Sequence, residues 1–530
     1  MVVGWVMFPV LGSPHTLALG DGRTDVWNHV WGYAFVYESL ASGQLPTHTD
    51  LLGWPEGGSL WFIDTFGALL TLPIQAALGP IAAYNAAIAG QLALCCVGAY
   101  LLALRVTDSS AAATFAAVAY GTTPHLLAQA HNGISESLAA GWLPLVLWAA
   151  LGRRTVLAGV LLGVCAWANN YYGLFGGLCL LALGHWRAAA LGVVVAVPGV
   201  GALLSTLAAE DALVQRDPGF VRSTLLLHNM TDVVSLFRPG RHYSPDLLAR
   251  FGEHLIVVVY VGWGVLLAAL PALRRRRSWR WGGLAAGFLV LTLGPYLYLG
   301  GDYVLVADGW IPLPFAALSS LPGFSALSHA YRFIVGASLA LCVLAALTIA
   351  SSRRPWPWAI GLSLLRFVEV GAGPAVWPLP VAQADIPEVY GELQGAILDL
   401  PVGVPVLERS VYGLYQLKHR QPSPYGLNDH VPPLLWANRF TRYLIEAEWS
   451  STNTLPARGP WVDVELGRRA LVADGLCWVV LHQRFYTEQR LARVAGLLDA
   501  LAEPVHDDGE VRVYRLISEP PVTPCDGGPD

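Results

Sequence analysis

Two aspartates open the first polar stretch of the chain, Gly20-Asp21-Gly22-Arg23-Thr24-Asp25, and Trp27, Asn28, His29 and Trp31 follow. Carboxylates four residues apart on a turn that leads into a helix face the same side. Beside an apolar wall the charge of Asp25 is poorly solvated, which strengthens it as a general base. The same position also suits a plain helix cap among interfacial aromatics, and spacing alone does not choose. A second polar link, Gln129-Ala130-His131-Asn132-Gly133-Ile134-Ser135-Glu136-Ser137, lies between apolar runs. A helix dipole accounts for Glu136 at a helix start. His131 and Asn132 have no such account and read as cleft-lining side chains. In Asn169-Asn170-Tyr171-Tyr172 the tyrosines fit an interfacial belt. The amides both donate and accept, which suits sugar hydroxyls, so Asn170 and Tyr171 join the binding candidates.

Guanidinium groups pair bidentately with phosphate. The stretch 209–254 carries Arg216, Asp217, Arg222, His228, Asn229, Asp232, Arg238, Arg241, His242, Glu253 and His254. Arg222, His228 and Arg238 are therefore candidates for a lipid phosphate or pyrophosphate, against the plainer reading of a solvated loop with local ion pairs. Arg332 ends a Pro-punctuated apolar segment, 310–333, where it meets an anionic head group or snorkels. Trp54-Pro55-Glu56-Gly57-Gly58-Ser59 reads as a tight architectural turn. The seven cysteines have no metal-binding spacing, and five fall in apolar runs, so no metal site is assigned. Cys477 and Cys525 remain as a possible pair.

These residues need an apolar frame. Only 13% of the 530 residues are charged and 55% are hydrophobic, with a mean hydropathy of +0.49. Ordinary soluble domains carry about 25% charged residues, so a purely soluble enzyme and a disordered chain are both excluded. The net charge of −5 gives no reason to expect nucleic acid. Apolar runs recur at 83–104, 111–128, 137–151, 155–167, 172–184, 188–208, 255–273, 281–299, 333–350 and 356–370. With the N-terminal segment, read as the end of a first membrane helix, they suggest about eleven transmembrane helices. Arg105, Arg153, Arg154, Arg187, Arg274 to Arg277, Arg280, Arg353 and Arg354 all fall in alternate connections. Positive charge stays inside, so the other set faces outward: 21–82, 129–136, 168–171, 209–254 and 300–332. Asp64, Pro73 and Gln75 make 61–78 an interfacial helix rather than a span. Residues 1–372 then form the membrane domain. Polar density becomes ordinary at 373–517, where strands at 396–400, 477–482 and 511–517 and a helix at 487–501 suggest a small extracytoplasmic α/β domain. Residues 518–530 read as a disordered tail.

This ordering resembles the GT-C superfamily of membrane glycosyltransferases. The resemblance rests on Asp21 and Asp25 in an acidic first outer loop, the interfacial helices after it, the Ala117-Val118-Ala119-Tyr120-Gly121-Thr122-Thr123-Pro124 helix end, and the soluble tail. Uncharacterised bacterial members share the Trp54 to Gly57 turn and the Pro312 to Ser325 segment. The resemblance implies inverting transfer, of hexosyltransferase type, from a polyprenyl-phosphate sugar to an extracytoplasmic glycan, lipid or protein, at the bacterial inner membrane. It also implies a first-loop aspartate, Asp25 or Asp21, as base or as ligand of a divalent cation, although no motif indicates the cation. The competing classes are a flippase for lipid-linked saccharide and a non-catalytic envelope assembly protein.

Overall fold

The computed structural model describes residues 1–214, 231–238, 257–307, 309–321, 327, 329–371, 377–403, 407–427, 432–449 and 463–517. The chain forms two compact units. One comprises Met1–Glu38, Phe62–Ser205 and Arg216–Gln383; the other comprises Ser39–Trp61, Thr206–Gln215 and Ala384–Asp530.

The first unit is helical. Among the described residues three helices are long and apolar enough to cross a bilayer, Pro80–Thr107, Trp186–Leu207 and Ala330–Ala350. Ser135–Leu151, Thr155–Ala168 and Trp263–Arg274 are shorter apolar helices. Several expected runs are broken, each for a local reason. The run at 111–128 divides into Ser110–Gly121 and Pro124–His131, because Pro124 cannot continue a helix but opens one well. The segment at 61–78 forms two short helices, Thr65–Leu70 capped by Asp64, and Leu72–Leu78 with Pro73 in its first turn. The N-terminal run reaches only Val2–Met7 and a 3-10 turn, Phe8–Val10, before strand Leu17–Leu19 pairs with Val381–Gln383.

The run at 255–273 departs furthest from expectation. Residues 257–261 are buried but not helical, and a helix begins only at Trp263, after Gly262 at φ 102°. The Val261 carbonyl and the Gly264 amide find partners on another helix, Pro355–Gly371. Arg366 Nη1 donates to the Val261 carbonyl at 2.7 Å and Nη2 to the Ala119 carbonyl at 3.3 Å, while Glu369 accepts from the Gly264 amide at 2.9 Å. Irregular backbone is tolerated in an apolar frame when protein groups satisfy it. The two charges within the apolar run at 356–370 thus have a structural task.

Helix Pro80–Thr107 packs against Ser110–Gly121, Trp142–Leu151 and the 3-10 segment Ser135–Gly141. Glycines permit the last contact. A Cβ on Gly141 would lie 2.4 Å from the Cys95 amide nitrogen, and one on Gly98 would lie 2.7 Å from the Gly141 carbonyl oxygen. This seats Ser135 and Glu136 at a fixed height.

In the second unit, strands lie in the order Pro504–Asp507, Val511–Arg515, Leu476–His482, Ala396–Leu400, with only the last pair parallel. Helices Ser410–His419, Arg439–Trp449, Val464–Ala473 and Glu488–Asp499 accompany the sheet. The turn after Gly53 belongs to this unit: Trp54 Nε1 donates to the Asp474 carbonyl at 2.9 Å and its amide to that of Ser423 at 3.1 Å. Its role is architectural. Cys477 is buried and disulfide-bonded; Cys525 lies outside the described residues. The second unit therefore includes 39–61 and 206–215, which sequence alone assigns to the membrane domain, to its outer loops except for 206–208 at the end of an apolar run.

One glycine governs the approach of two segments in the first unit. Gly133 sits at φ 74°, and a Cβ there would be 2.6 Å from the Val26 amide nitrogen. Gly133→Ala should cost about 1–3 kcal/mol, read as a lowered melting temperature of the detergent-solubilised protein. An unchanged midpoint would show that the two segments do not meet this closely.

Candidate active site

The first loop is stitched by backbone bonds to the end of helix Pro124–His131. The Asp21 amide donates to the His131 carbonyl at 2.8 Å and the Asp25 amide to that of Asn132 at 3.1 Å. Asp21, Asp25, His131 and Asn132 are thus brought together, but their side chains have different tasks. Asp21 accepts from the Arg23 amide at 3.0 Å and pairs with Arg23 Nη2 at 3.2 Å, at the surface. Burial alone would raise its pKa, but the Arg23 hydrogen bonds outweigh that and hold the carboxyl below its usual range. Asp21 builds the turn. Asp25, at the start of helix Val26–Ala41, is buried, and its Oδ1 accepts from Asn28 Nδ2 at 2.9 Å.

One turn on, His29 is the centre of a buried ionic group. Asp25, His29, Asp64 and Glu136 are only 6%, 2%, 3% and 2% exposed. His29 Nε2 lies 3.6 Å from Asp25 Oδ2 and 3.6 Å from Glu136 Oε2. On the other side, His29 Nδ1 is 2.9 Å from Ser135 Oγ. Ser135 donates its proton to Asp64 Oδ2, which also accepts from the Tyr33 hydroxyl at 2.7 Å. Since the Ser135 proton is spent on Asp64, Ser135 accepts from His29, so Nδ1 carries a proton. Nε2 faces carboxylate oxygens and carries one as well. His29 is therefore an imidazolium. At an effective dielectric near 20, each 3.6 Å pair attracts by about 5 kcal/mol, opposed by the cost of taking the charges out of water.

A second cation completes the group. Arg332 Nη2 lies 3.6 Å from Glu136 Oε1, and its guanidinium covers the Tyr171 ring at 5.1 Å. The Tyr171 hydroxyl accepts from the His329 amide at 3.0 Å. Three carboxylates thus face two cations. Several atoms here make no hydrogen bond among the described residues, namely Glu136 Oε2, Arg332 Nε and Asn132 Nδ2. Buried polar atoms of this kind are the ones a water or substrate would satisfy.

Other candidates fall elsewhere. Asn170 is exposed at the start of helix Asn170–Ala182. Its neighbour Asn169 caps that helix and donates to the Glu136 carbonyl at 3.2 Å. Arg238 is exposed beyond the 3-10 turn Val233–Leu236. Arg222 and His228 lie outside the described residues. Asp64 and the hub role of His29 were not singled out by sequence reasoning. Asp64 then counted only as a polar residue in an interfacial helix, and a His one turn from an Asp is the only signal that pointed to the hub. Glu136 had a sufficient local explanation. In the second unit, Tyr390, Asp399 and His482 form another buried polar cluster, mutually hydrogen-bonded within the core.

A divalent cation is the cofactor that the sequence resemblance allows. It would need several oxygens at about 2.0–2.6 Å. Asp64 is occupied by Ser135, Tyr33 and the Gly67 amide, Asp25 Oδ1 accepts from Asn28, and the facing oxygens of Asp25 and Glu136 both look onto His29. Among the described residues no group of three or more His, Cys, Asp or Glu is disposed to hold a metal. The residues as placed do not fit one.

Among solved structures the chain is similar to the arabinofuranosyltransferase AftD from Mycobacteria, at 14% identity and a TM-score of 0.51, over 98% of this chain and 39% of that one. A mutant form of AftD gives 14% identity and a TM-score of 0.53, over 98% and 41%. The apo oligosaccharyltransferase of Archaeoglobus fulgidus aligns at 11% identity over 93% of this chain and 70% of that one, with a TM-score of 0.41, and adds nothing to the assignment. No family profile and no curated protein sequence matches the chain. The chain therefore shares its fold with AftD, and it spans about two fifths of the length of AftD, 39%.

The buried charges make stability depend on pH. Burial alone would lower the pKa of His29, but Asp25, then Glu136 and Asp64, outweigh it and hold it at about 9. Burial pushes Asp64 up to about 6, against hydrogen bonds from Ser135 and Tyr33. Since the folded pKa of His29 exceeds the free value of 6.5, its stabilisation is full below the free value and is lost as pH rises through the folded one. The melting temperature should fall between about pH 7 and pH 9.5, by the equivalent of roughly 3 kcal/mol, and His29→Gln should flatten that limb. A flat wild-type profile would contradict the charged ring.

Proposed function

We propose that the chain is a membrane glycosyltransferase that moves a sugar from a polyprenyl-phosphate donor to an acceptor outside the cytoplasm, with Asp25 as general base. The observation that carries this reading is the buried Asp25 carboxylate, positioned by Asn28 and flanked by a cationic His29, in a chain that shares its fold with AftD. The acceptor hydroxyl gives its proton to Asp25 as its oxygen bonds to the anomeric carbon. The bond from that carbon to the phosphate oxygen breaks, and the phosphate leaves with the electron pair. Arg332, backed by Tyr171, holds the departing charge.

The site opens on the outer face of the inner membrane. The alternation of arginine-bearing connections supports this sidedness. The disulfide-bonded Cys477 supports an oxidising compartment for the second unit. The sugar is a hexose, the acceptor a glycan, lipid or protein.

Two substitutions test the roles separately. Asp25→Asn should lower acceptor-dependent release of polyprenyl phosphate by about 100-fold or more per folded molecule, together with a lower melting temperature because buried His29 loses one carboxylate partner; full activity would remove the base assignment. Arg332→Gln should weaken the donor phosphate contact and slow release of polyprenyl phosphate by at least roughly 10-fold. Unchanged donor kinetics would remove Arg332 from the phosphate site. Movement of the intact donor between leaflets without cleavage would favour a flippase instead.

A further inference from the structure

Three buried carboxylates, Asp25, Asp64 and Glu136, converge in the first unit, and like charges so placed need a cation among them. We infer that His29 is a permanent, protein-borne counter-cation: it occupies the position between Asp25 and Glu136 that a divalent metal would otherwise need, and keeps Asp25 anionic, so that transfer proceeds without a bound metal. This rests on the transferase reading above.

Four observations carry it. First, the ring stands 3.6 Å from both carboxylates through the same nitrogen, so neither oxygen can turn toward a metal without displacing it. Second, Ser135 holds the opposite nitrogen at 2.9 Å and is itself anchored to Asp64, which fixes the ring and its second proton. Third, Phe62 packs edge-on against the ring at 5.5 Å, closing it from water. Fourth, the charged and titratable groups around His29 come from five elements: Asp25 and Tyr33 from its own helix and its start, Asp64 from the cap of Thr65–Leu70, Tyr84 from Pro80–Thr107, Glu136 from Ser135–Gly141, and Arg332, whose guanidinium is engaged with Glu136 and Tyr171. Among the described residues His29 faces Asp25 at 3.6 Å, and it acts as a positioning residue for that base.

The experiment uses the full chain in detergent or nanodiscs, with Mn2+ as the metal probe. Wild-type turnover of a polyprenyl-phosphate sugar should change by less than about two-fold with EDTA, and calorimetry should show no Mn2+ site that depends on Asp25. His29→Ala leaves three carboxylates around a cavity. It should lose turnover by about 100-fold in EDTA and gain an Mn2+ site that a second substitution, Asp25→Asn, removes. His29→Gln keeps the volume without the charge and should be similarly slow, a loss that packing alone does not produce. EDTA-sensitive wild-type turnover, an Asp25-dependent Mn2+ site in the wild type, or wild-type rates in His29→Gln would overturn the inference. If His29→Ala does not fold, the wild-type Mn2+ titration and His29→Gln still decide. If no donor is turned over at all, the transferase reading fails, while the Mn2+ titrations of wild type and His29→Ala still settle the role of His29.

Discussion

The first unit depends on one electrostatic arrangement: an imidazolium held between two carboxylates inside an apolar frame. His29 meets Asp25 and Glu136 at 3.6 Å each, and Arg332 meets Glu136 from the far side at the same distance. Removing any one partner would leave an uncompensated buried charge, which costs far more than the pair contributes. The arrangement therefore demands accurate placement of four segments that are distant in sequence. The fold supplies it with glycines at close approaches, caps at helix starts and backbone bonds from the first loop to the His131 and Asn132 carbonyls.

The helical frame is irregular where the site needs it to be. Breaks at Asp64, at Pro124 and at Gly262 interrupt apolar runs that would otherwise continue as helices. The first break delivers the Asp64 carboxylate, and the second opens the helix that ends at His131 and Asn132. The third is stabilised by Arg366 and Glu369, so its cost is met by side chains rather than by water. Polar groups buried in this way are worthwhile only if each has a partner. Among the buried atoms without a hydrogen bond in the described residues are Glu136 Oε2 and Arg332 Nε of the ionic group, and others lie elsewhere in the chain.

Much of this was legible in the sequence. The low charge content and the apolar runs define a helical membrane frame, and the short alternating runs near the C-terminal end mark the strands Ala396–Leu400, Leu476–His482 and Val511–Arg515. The Asp21 to Asp25 pair marks the turn that leads into the buried ionic group. The rest was hidden for physical reasons. Asp64 and Ser135 are 71 positions apart, and His29 and Ser135 are 106 apart, so no local pattern reports their contact. His29 sits in an aromatic run that reads equally well as an interfacial belt, and Glu136 had a helix dipole to explain it. Asn169 and Asn170 are adjacent, and only the turn of the helix decides which one faces Glu136. Apolar-run length overstated helix length at Pro124 and at Gly262, whereas Pro198 lies inside the unbroken helix Trp186–Leu207.

The charge on His29 is the point at which the account is most exposed. Nitrogen NMR of the full chain labelled on histidine, with His29→Gln to assign the signal, reads the protonation of both ring nitrogens directly. A ring protonated on both nitrogens at pH 7.5, titrating only toward pH 9, is the predicted result. A neutral single tautomer at pH 7.5 would contradict it, because the carboxylates would then lack the cation on which their burial depends.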